Sequence, residues 1–254
     1  MTDYPGGLPA GYRLVTFDQL NSTNEEACRQ ARAGAPAGTV IVAARQTAGR
    51  GRRGRVWQSP AGNLYFSVLL RPSWPLAHAP QLSFLAALAM GEAIIQAAPG
   101  AAQGLRYKWP NDILLGGAKL CGILLESASL GQAPDWMIIG VGLNIASHPV
   151  DTPYPATALA AIGTAPAPRA LLGEFLHRLD AWLSRWKTAG FGPVRTAWLA
   201  RAAGLGEPIT VRLEGRELAG VMRGLDENGA LLLDAEDGAR HLVSAGDVFF
   251  PRKG

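Results

Sequence analysis

The sequence is poor in cysteine and in lysine, and it has no long apolar run. Its two cysteines, Cys28 and Cys121, are too few for a disulfide scaffold or a structural zinc site. A single Cys28–Cys121 pair stays open beside the plainer reading, two reduced thiols in a cytoplasmic protein. No apolar stretch approaches the ~20 residues that span a bilayer. Residues 1–12 lack the basic and apolar regions of a signal peptide. The expectation is therefore a cytoplasmic chain with neither leader nor membrane anchor. Charge is sparse too, at 17% against about 25% in an ordinary domain. With 48% hydrophobic residues, that excludes intrinsic disorder, which needs low hydrophobicity and high charge.

The 254 residues suffice for one large domain plus a small one. Residues 11–203 read as mixed α/β. Helices are expected over 22–33, 82–98, 170–188 and 194–203. Strands are expected over 39–44, 63–70, 106–109, 113–115, 119–126 and 136–141. Ser22 or Thr23 suits a helix N-cap, with Glu25 and Glu26 favoured in the first turn. Gly116-Gly117 reads as a hairpin turn. Residues 147–168, rich in Pro, Ala and Thr, read as a long loop. After Gly204-Leu205-Gly206 the pattern changes. Turn signals at 214–215, 227–229 and 236–238 separate four short strands, which predicts a small all-β barrel or sandwich leaning on the first domain. The boundary falls between 1–205 and 206–254.

The cation of this chain is arginine, with 20 Arg to 4 Lys and a net charge of +4. Five of the arginines fall within residues 45–55, where even spacing would put about one. There Gly49-Arg50-Gly51-Arg52-Arg53-Gly54-Arg55 leads to Trp57. Glycine lets the backbone approach a ligand, and arginine forks bind phosphate or carboxylate. The flanking strands favour an anionic small-molecule site. An arm binding nucleic acid non-specifically and a solvated basic loop are the alternatives. Lys108-Trp109-Pro110-Asn111-Asp112 holds a second lysine-bearing cluster, with Lys119 and Gly122 following. Lys119 begins an apolar strand after a tight turn, so it faces either solvent or a site. Asn111-Asp112 could be a turn alone. Gly140-Val141-Gly142-Leu143-Asn144 closes a strand and could mark a bulge. No Ser-His-Asp spacing and no metal-ligand cluster is evident, which points to group transfer by positioning and electrostatics.

Taken together, Gly49–Trp57, Lys108–Asp112 with Lys119 seven residues on, and Gly140-x-Gly142-x-Asn144 resemble the biotin protein ligases. The resemblance implies an α/β (α+β) fold: a mixed-sheet catalytic domain of the biotin/lipoate ligase type with a small C-terminal SH3-like β-barrel. It implies that biotin and Mg-ATP form biotinyl-5′-AMP, and that a lysine of a biotin carboxyl carrier domain, as in acetyl-CoA carboxylase, then takes the biotin. Carried over by position, Ser22, Thr23, Asn24, Gln46, Arg50, Gly51, Arg52, Lys119, Gly122 and Gly142 bind biotin. Arg52, Arg55, Trp57, Asn111, Asp112, Lys119 and Asn144 bind ATP or the adenylate. Lys119 and Arg52 are the catalytic residues, and no protein metal site is assigned beyond the Mg2+ carried with ATP. Trp109 either walls the pocket or packs, and Cys121 reads as a packing residue. The chain reaches Ser22 too soon for a helix-turn-helix domain, so DNA binding is not expected. A sheet edge could pair in a homodimer or receive the carrier. A lipoate-type ligase and a non-catalytic nucleic-acid-binding module are the competing readings.

Overall fold

A computed structural model describes residues 7–128, 135–152, 154–163 and 165–251. Positions 1–6 of the N-terminal stretch, and 153 and 164 of the long loop, lie outside the described residues.

The first part of the chain runs β1 (Arg13–Leu20), α1 (Thr23–Arg32), β2 (Thr39–Gln46), β3 (Leu64–Leu70), α2 (Gln81–Ala97), β4 (Leu105–Lys108), β5 (Asp112–Leu115), β6 (Ala118–Ala128), β7 (Trp136–Leu143), α3 (Pro168–Ala189) and α4 (Gly192–Leu199). Seven strands form one sheet in the order β1-β2-β3-β7-β6-β5-β4. Only β1 and β2 pair in parallel; the other neighbours are antiparallel.

The central strands are buried on both faces, which explains their near-continuous apolar sequences. On one face Val40, Val68 and Ile139 join the main core under α2 and α3. On the other, Ile41, Leu69 and Ile138 pack against Ala27, Cys28 and Ala31 of α1. Helix α2 is apolar around nearly its whole circumference, as a helix enclosed by sheet and helices should be. Gly91 allows the close approach of Tyr107, whose ring lies where a Cβ would stand.

The chain ends in β8 (Pro208–Arg212), β9 (Glu217–Leu225), β10 (Leu231–Ala235), β11 (Arg240–Val243) and β12 (Asp247–Phe249). These form a five-stranded antiparallel sheet, β11-β10-β9-β8-β12. Among the described residues no pairing of its outer strands closes it into the expected barrel. The sheet does lean on the first domain: Ile209, Val211, Met222, Leu231 and Leu233 belong to the main core. Trp109 is at this seam. It is 2% exposed and its Nε1 donates to the Gly229 carbonyl at 3.1 Å. It packs and is not a wall of the pocket. Burying an aromatic of this size contributes roughly 1.5–3 kcal/mol.

Two strands are absent from the sequence reading, β1 and β12. Strand β1 is a half-exposed edge with an irregular burial pattern. Strand β12 has three residues, too few to show alternation. Within the long loop, residues 155–157 are tied to the sheet through Lys119 N to Pro155 O at 2.7 Å and Thr157 N to Lys119 O at 2.9 Å, and a short 3-10 turn spans Leu159–Ile162.

Candidate active site

A cavity of about 610 Å³ opens over the end of the large sheet. Every residue assigned above to biotin, ATP or catalysis lines it, from Ser22 through Asn144. The sheet explains this convergence. Asp112 of β5 pairs with Gly122 of β6, which pairs with Gly142 of β7, so three positions far apart in sequence form one row. The two glycines leave a flat floor. A Cβ on Gly142 would collide with the Trp57 indole, and one on Gly122 would lie 3.0 Å from it. Lys119 reaches the same side because the β5–β6 register shifts between Ile113 and Leu114. The shift offsets the strand alternation, which sends Leu120 and Cys121 into the core and Lys119 and Gly122 to the cavity. Cys121 is fully buried, and burial pushes its thiol pKa well up, so it packs as expected.

One half of the cavity is a chain of hydrogen bonds. Ser22 occupies the N-cap position of α1 but its side chain makes no capping bond. Instead Gln46 Oε1 accepts from Thr23 N at 2.8 Å and lies 3.2 Å from Thr23 Oγ1, while Gln46 Nε2 donates to Ser59 Oγ at 2.8 Å. Thr23 Oγ1 is 2.8 Å from Ser67 Oγ, which donates to Asn24 Oδ1 at 2.6 Å. Asn24 Nδ2 donates to Glu126 at 2.7 Å, and Glu126 meets Arg50 at 2.5 Å. Ser22, Thr23, Asn24 and Ser67 are all buried, where an unpaired polar group would cost about 1–3 kcal/mol.

The other half is charged. Lys119 Nζ lies 2.7 Å from Asp112 Oδ1, an ion contact outside hydrogen-bond geometry, and 5.3 Å from the Trp57 ring centroid. Arg52 donates to Asn111 Oδ1 and to the Gly246 carbonyl, both at 3.2 Å. Asp247, from the C-terminal sheet, gathers three arginines: Arg52 at 3.7 Å, Arg53 at 3.4 Å, and Arg55. Burial pushes the Arg52 guanidinium below its ordinary pKa, against the pull of Asp247, and it stays a cation at any working pH. Burial likewise lowers the pKa of Lys108, with Asp112 opposing. At the tip of the loop Arg53 has φ 54°, a left-handed conformation that non-glycine residues seldom adopt. Two polar atoms at the cavity, Trp57 Nε1 and Asn144 Oδ1, are buried without a partner.

The sequence reading missed Ser67, Glu126, Arg212 and Asp247. Ser67 carried a signal, as the sole polar side chain but for a tyrosine in Leu64–Leu70, a buried strand. Arg212 and Asp247 line the cavity from a part of the chain that carried no motif.

Residues 16–144 match the model of the biotin/lipoate A/B protein ligase family, and residues 204–250 that of the biotin protein ligase C terminal domain. A biotin–[acetyl-CoA-carboxylase] ligase of Paracoccus denitrificans is 42% identical over 239 residues, covering 91% of this chain and 98% of the relative. The chain belongs to the biotin/lipoate A/B protein ligase family. Solved structures of biotin protein ligases are among the structural matches. The biotin protein ligase from Aquifex aeolicus in complex with biotin and ATP superposes with a TM-score of 0.80 at 30% identity, over 94% of this chain and 99% of that one. The Leishmania major biotin protein ligase in complex with biotinyl-5-AMP gives 0.63 at 28%, over 93% and 100%. Among the described residues no helix is long and apolar enough to cross a membrane.

Proposed function

We infer that this chain is a biotin protein ligase, a cytoplasmic enzyme that joins biotin to ATP as biotinyl-5′-AMP and passes biotin to one lysine of a biotin carboxyl carrier domain. The observation that carries this is the convergence of the Arg-Gly loop, Asn111-Asp112, Lys119 and the Gly142–Asn144 segment on one cavity. The half built from Ser22, Thr23, Asn24 and Gln46 suits a neutral polar ring such as the ureido group of biotin. Gly122 and Gly142 are its floor and Trp57 its wall. Arg50 and Gly51 meet the biotin carboxylate, Arg52 meets both it and the α-phosphate, and Arg55 orders the loop.

The chemistry brings two anions together. The biotin carboxylate attacks the α-phosphorus and pyrophosphate leaves. Lys119 and Arg52 offset the charge that builds on the α-phosphate oxygens, and losing one such donor typically costs ~2.7–4 kcal/mol of barrier. In the second step the carrier lysine's amine attacks the acyl carbon and AMP leaves. Asn111, Asp112 and Asn144 serve the ATP side. Mg2+ would accompany the triphosphate and reduce its charge. Asp112 and the unpartnered Asn144 Oδ1 are oxygen donors of the right kind, and the described residues hold no group of three metal-ligating side chains. Phosphate oxygens and water would therefore supply most of its shell.

A nucleic-acid arm is disfavoured because Arg52, Arg53 and Arg55 are engaged by Asp247. The exposed edge β1 is where a second copy or the carrier could add a strand, and sedimentation with and without biotin and ATP tests for the dimer. The decisive experiment incubates the protein with biotin, Mg-ATP and a purified carrier domain, and reads the carrier's intact mass. One biotin-sized gain is expected. No gain on a competent carrier, or a gain with lipoate instead, would overturn the reading.

A further inference from the structure

Glu126 does not line the cavity, yet its two carboxylate oxygens hold two residues that do. It stands near the end of β6, opposite Ile138 of β7. Oε2 accepts from Asn24 Nδ2 at 2.7 Å. Oε1 meets Arg50 Nη2 at 2.5 Å, and Arg50 Nη1 lies 3.4 Å from Glu25.

The bond to Asn24 decides an orientation. A carboxamide has a donor end and an acceptor end of nearly equal shape. A carboxylate only accepts, so it faces the NH2. The Ser67 hydroxyl donates to the opposite end at 2.6 Å. The amide is 4% exposed and lies where a Cβ on Gly140 would stand, so water cannot replace either partner. The bond to Arg50 fixes the start of the Arg-Gly loop on the sheet, while Arg52, Arg53 and Arg55 further along it are held by Asp247. Glu126 thus ties helix α1 and the loop to one strand through a single side chain, and both ties end on the biotin half.

We propose that Glu126 is a positioning residue for biotin, acting through the Asn24 carboxamide and the Arg50 guanidinium. This rests on the ligase reading above. The test is the steady-state kinetics of Glu126→Ala and Glu126→Gln with a carrier domain, varying biotin and ATP separately. Glutamine keeps an oxygen for Asn24 Nδ2 but has no charge for Arg50. The KM for biotin should rise roughly tenfold or more in Glu126→Ala, as expected for losing bonds to a charged group. It should rise less in Glu126→Gln, and the KM for ATP should stay within about twofold in both. The proposal is overturned if folded Glu126→Ala keeps the parental biotin KM, or if both KM values rise together. Should Glu126→Ala fail to fold, Glu126→Gln is judged alone: a rise confined to the biotin KM supports the role, and a parental value sinks it. A parent protein that forms no biotinyl-carrier sinks the ligase reading itself. An active parent with indifferent variants sinks only the role of Glu126.

Discussion

The two halves of the cavity are held by different forces. The half around Thr23, Asn24, Gln46 and Ser67 is a hydrogen-bond chain, most of it buried, running from Ser59 to Glu126. The half around Lys119, Arg52, Arg55 and Asp112 is built of ion pairs, Lys119 on Asp112 and the loop arginines on Asp247 from the other end of the chain. The first fixes direction, because each donor must find its own acceptor. The second fixes charge, and tolerates small displacements because Coulomb attraction falls off slowly. A neutral bicyclic ring and a triphosphate call for these two kinds of site.

The sharpest way to break this contrast is to remove a cation. Lys119→Ala or Arg52→Ala should slow biotin-dependent pyrophosphate release by about 10²–10³-fold, with biotin retention falling much less for Lys119→Ala. Parental rates in both would show that the charged half is wrongly assigned. Next comes the hydrogen-bond chain. Thr23→Val leaves Ser67 and Gln46 short of a partner and should cost about 1–3 kcal/mol, read by calorimetry as weaker biotin binding with ATP binding unchanged. Gly142→Ala should act in the same direction by crowding the Trp57 indole, at about 1–3 kcal/mol. If its biotin affinity is normal, the glycine floor is not part of the ligand's seat.

Smaller effects distinguish the halves by their response to solvent. Asp247→Asn should raise the KM for ATP by releasing the loop arginines it holds, and should steepen its salt dependence, since the anion that offsets those arginines is gone. The biotin KM should rise less, through Arg52 alone. The smallest effect is expected outside both halves. Arg240 and Arg223 hold Asp234 at about 2, below its ordinary 3.8. Its folded pKa is depressed, so its contribution is complete above about pH 4 and is lost as pH falls toward 2. A thermal-melt series over that window should show a slight extra loss in the parent that Asp234→Asn lacks.

What could be read from sequence follows the range of the forces involved. Helix α1, the buried strands and the Gly116-Gly117 hairpin rest on local patterns and stand where expected. Glycines and arginines at fixed spacing announced the cavity because a backbone that must approach an anion leaves its mark in consecutive residues. Asp247 left none. Its partners are nearly two hundred residues away, and a lone acid after a turn looks like any other surface acid. Ser22 illustrates a different limit. Its position satisfies the capping rule, yet its side chain makes no capping bond and lines the cavity instead, a placement that no local rule can foresee. Glu126 follows the apolar run Ile123–Leu125 near the end of β6 and would pass for an ordinary solvated strand end. The register shift that turns Lys119 inward was equally hidden, since the hairpin signal marks where a strand turns and not how its partner is counted.

The indole of Trp57 gives the pocket an optical reporter. Of the seven tryptophans, it alone lines the cavity among the described residues, and it sits beneath the Lys119 ammonium with its N–H lacking an acceptor. Indole emission is sensitive to both a nearby positive charge and a new hydrogen-bond acceptor. A ligand that draws Lys119 toward an anion, or offers Nε1 an oxygen, changes both at once. The emission change lost on Trp57→Phe then isolates this one chromophore and follows filling of the site without label or carrier.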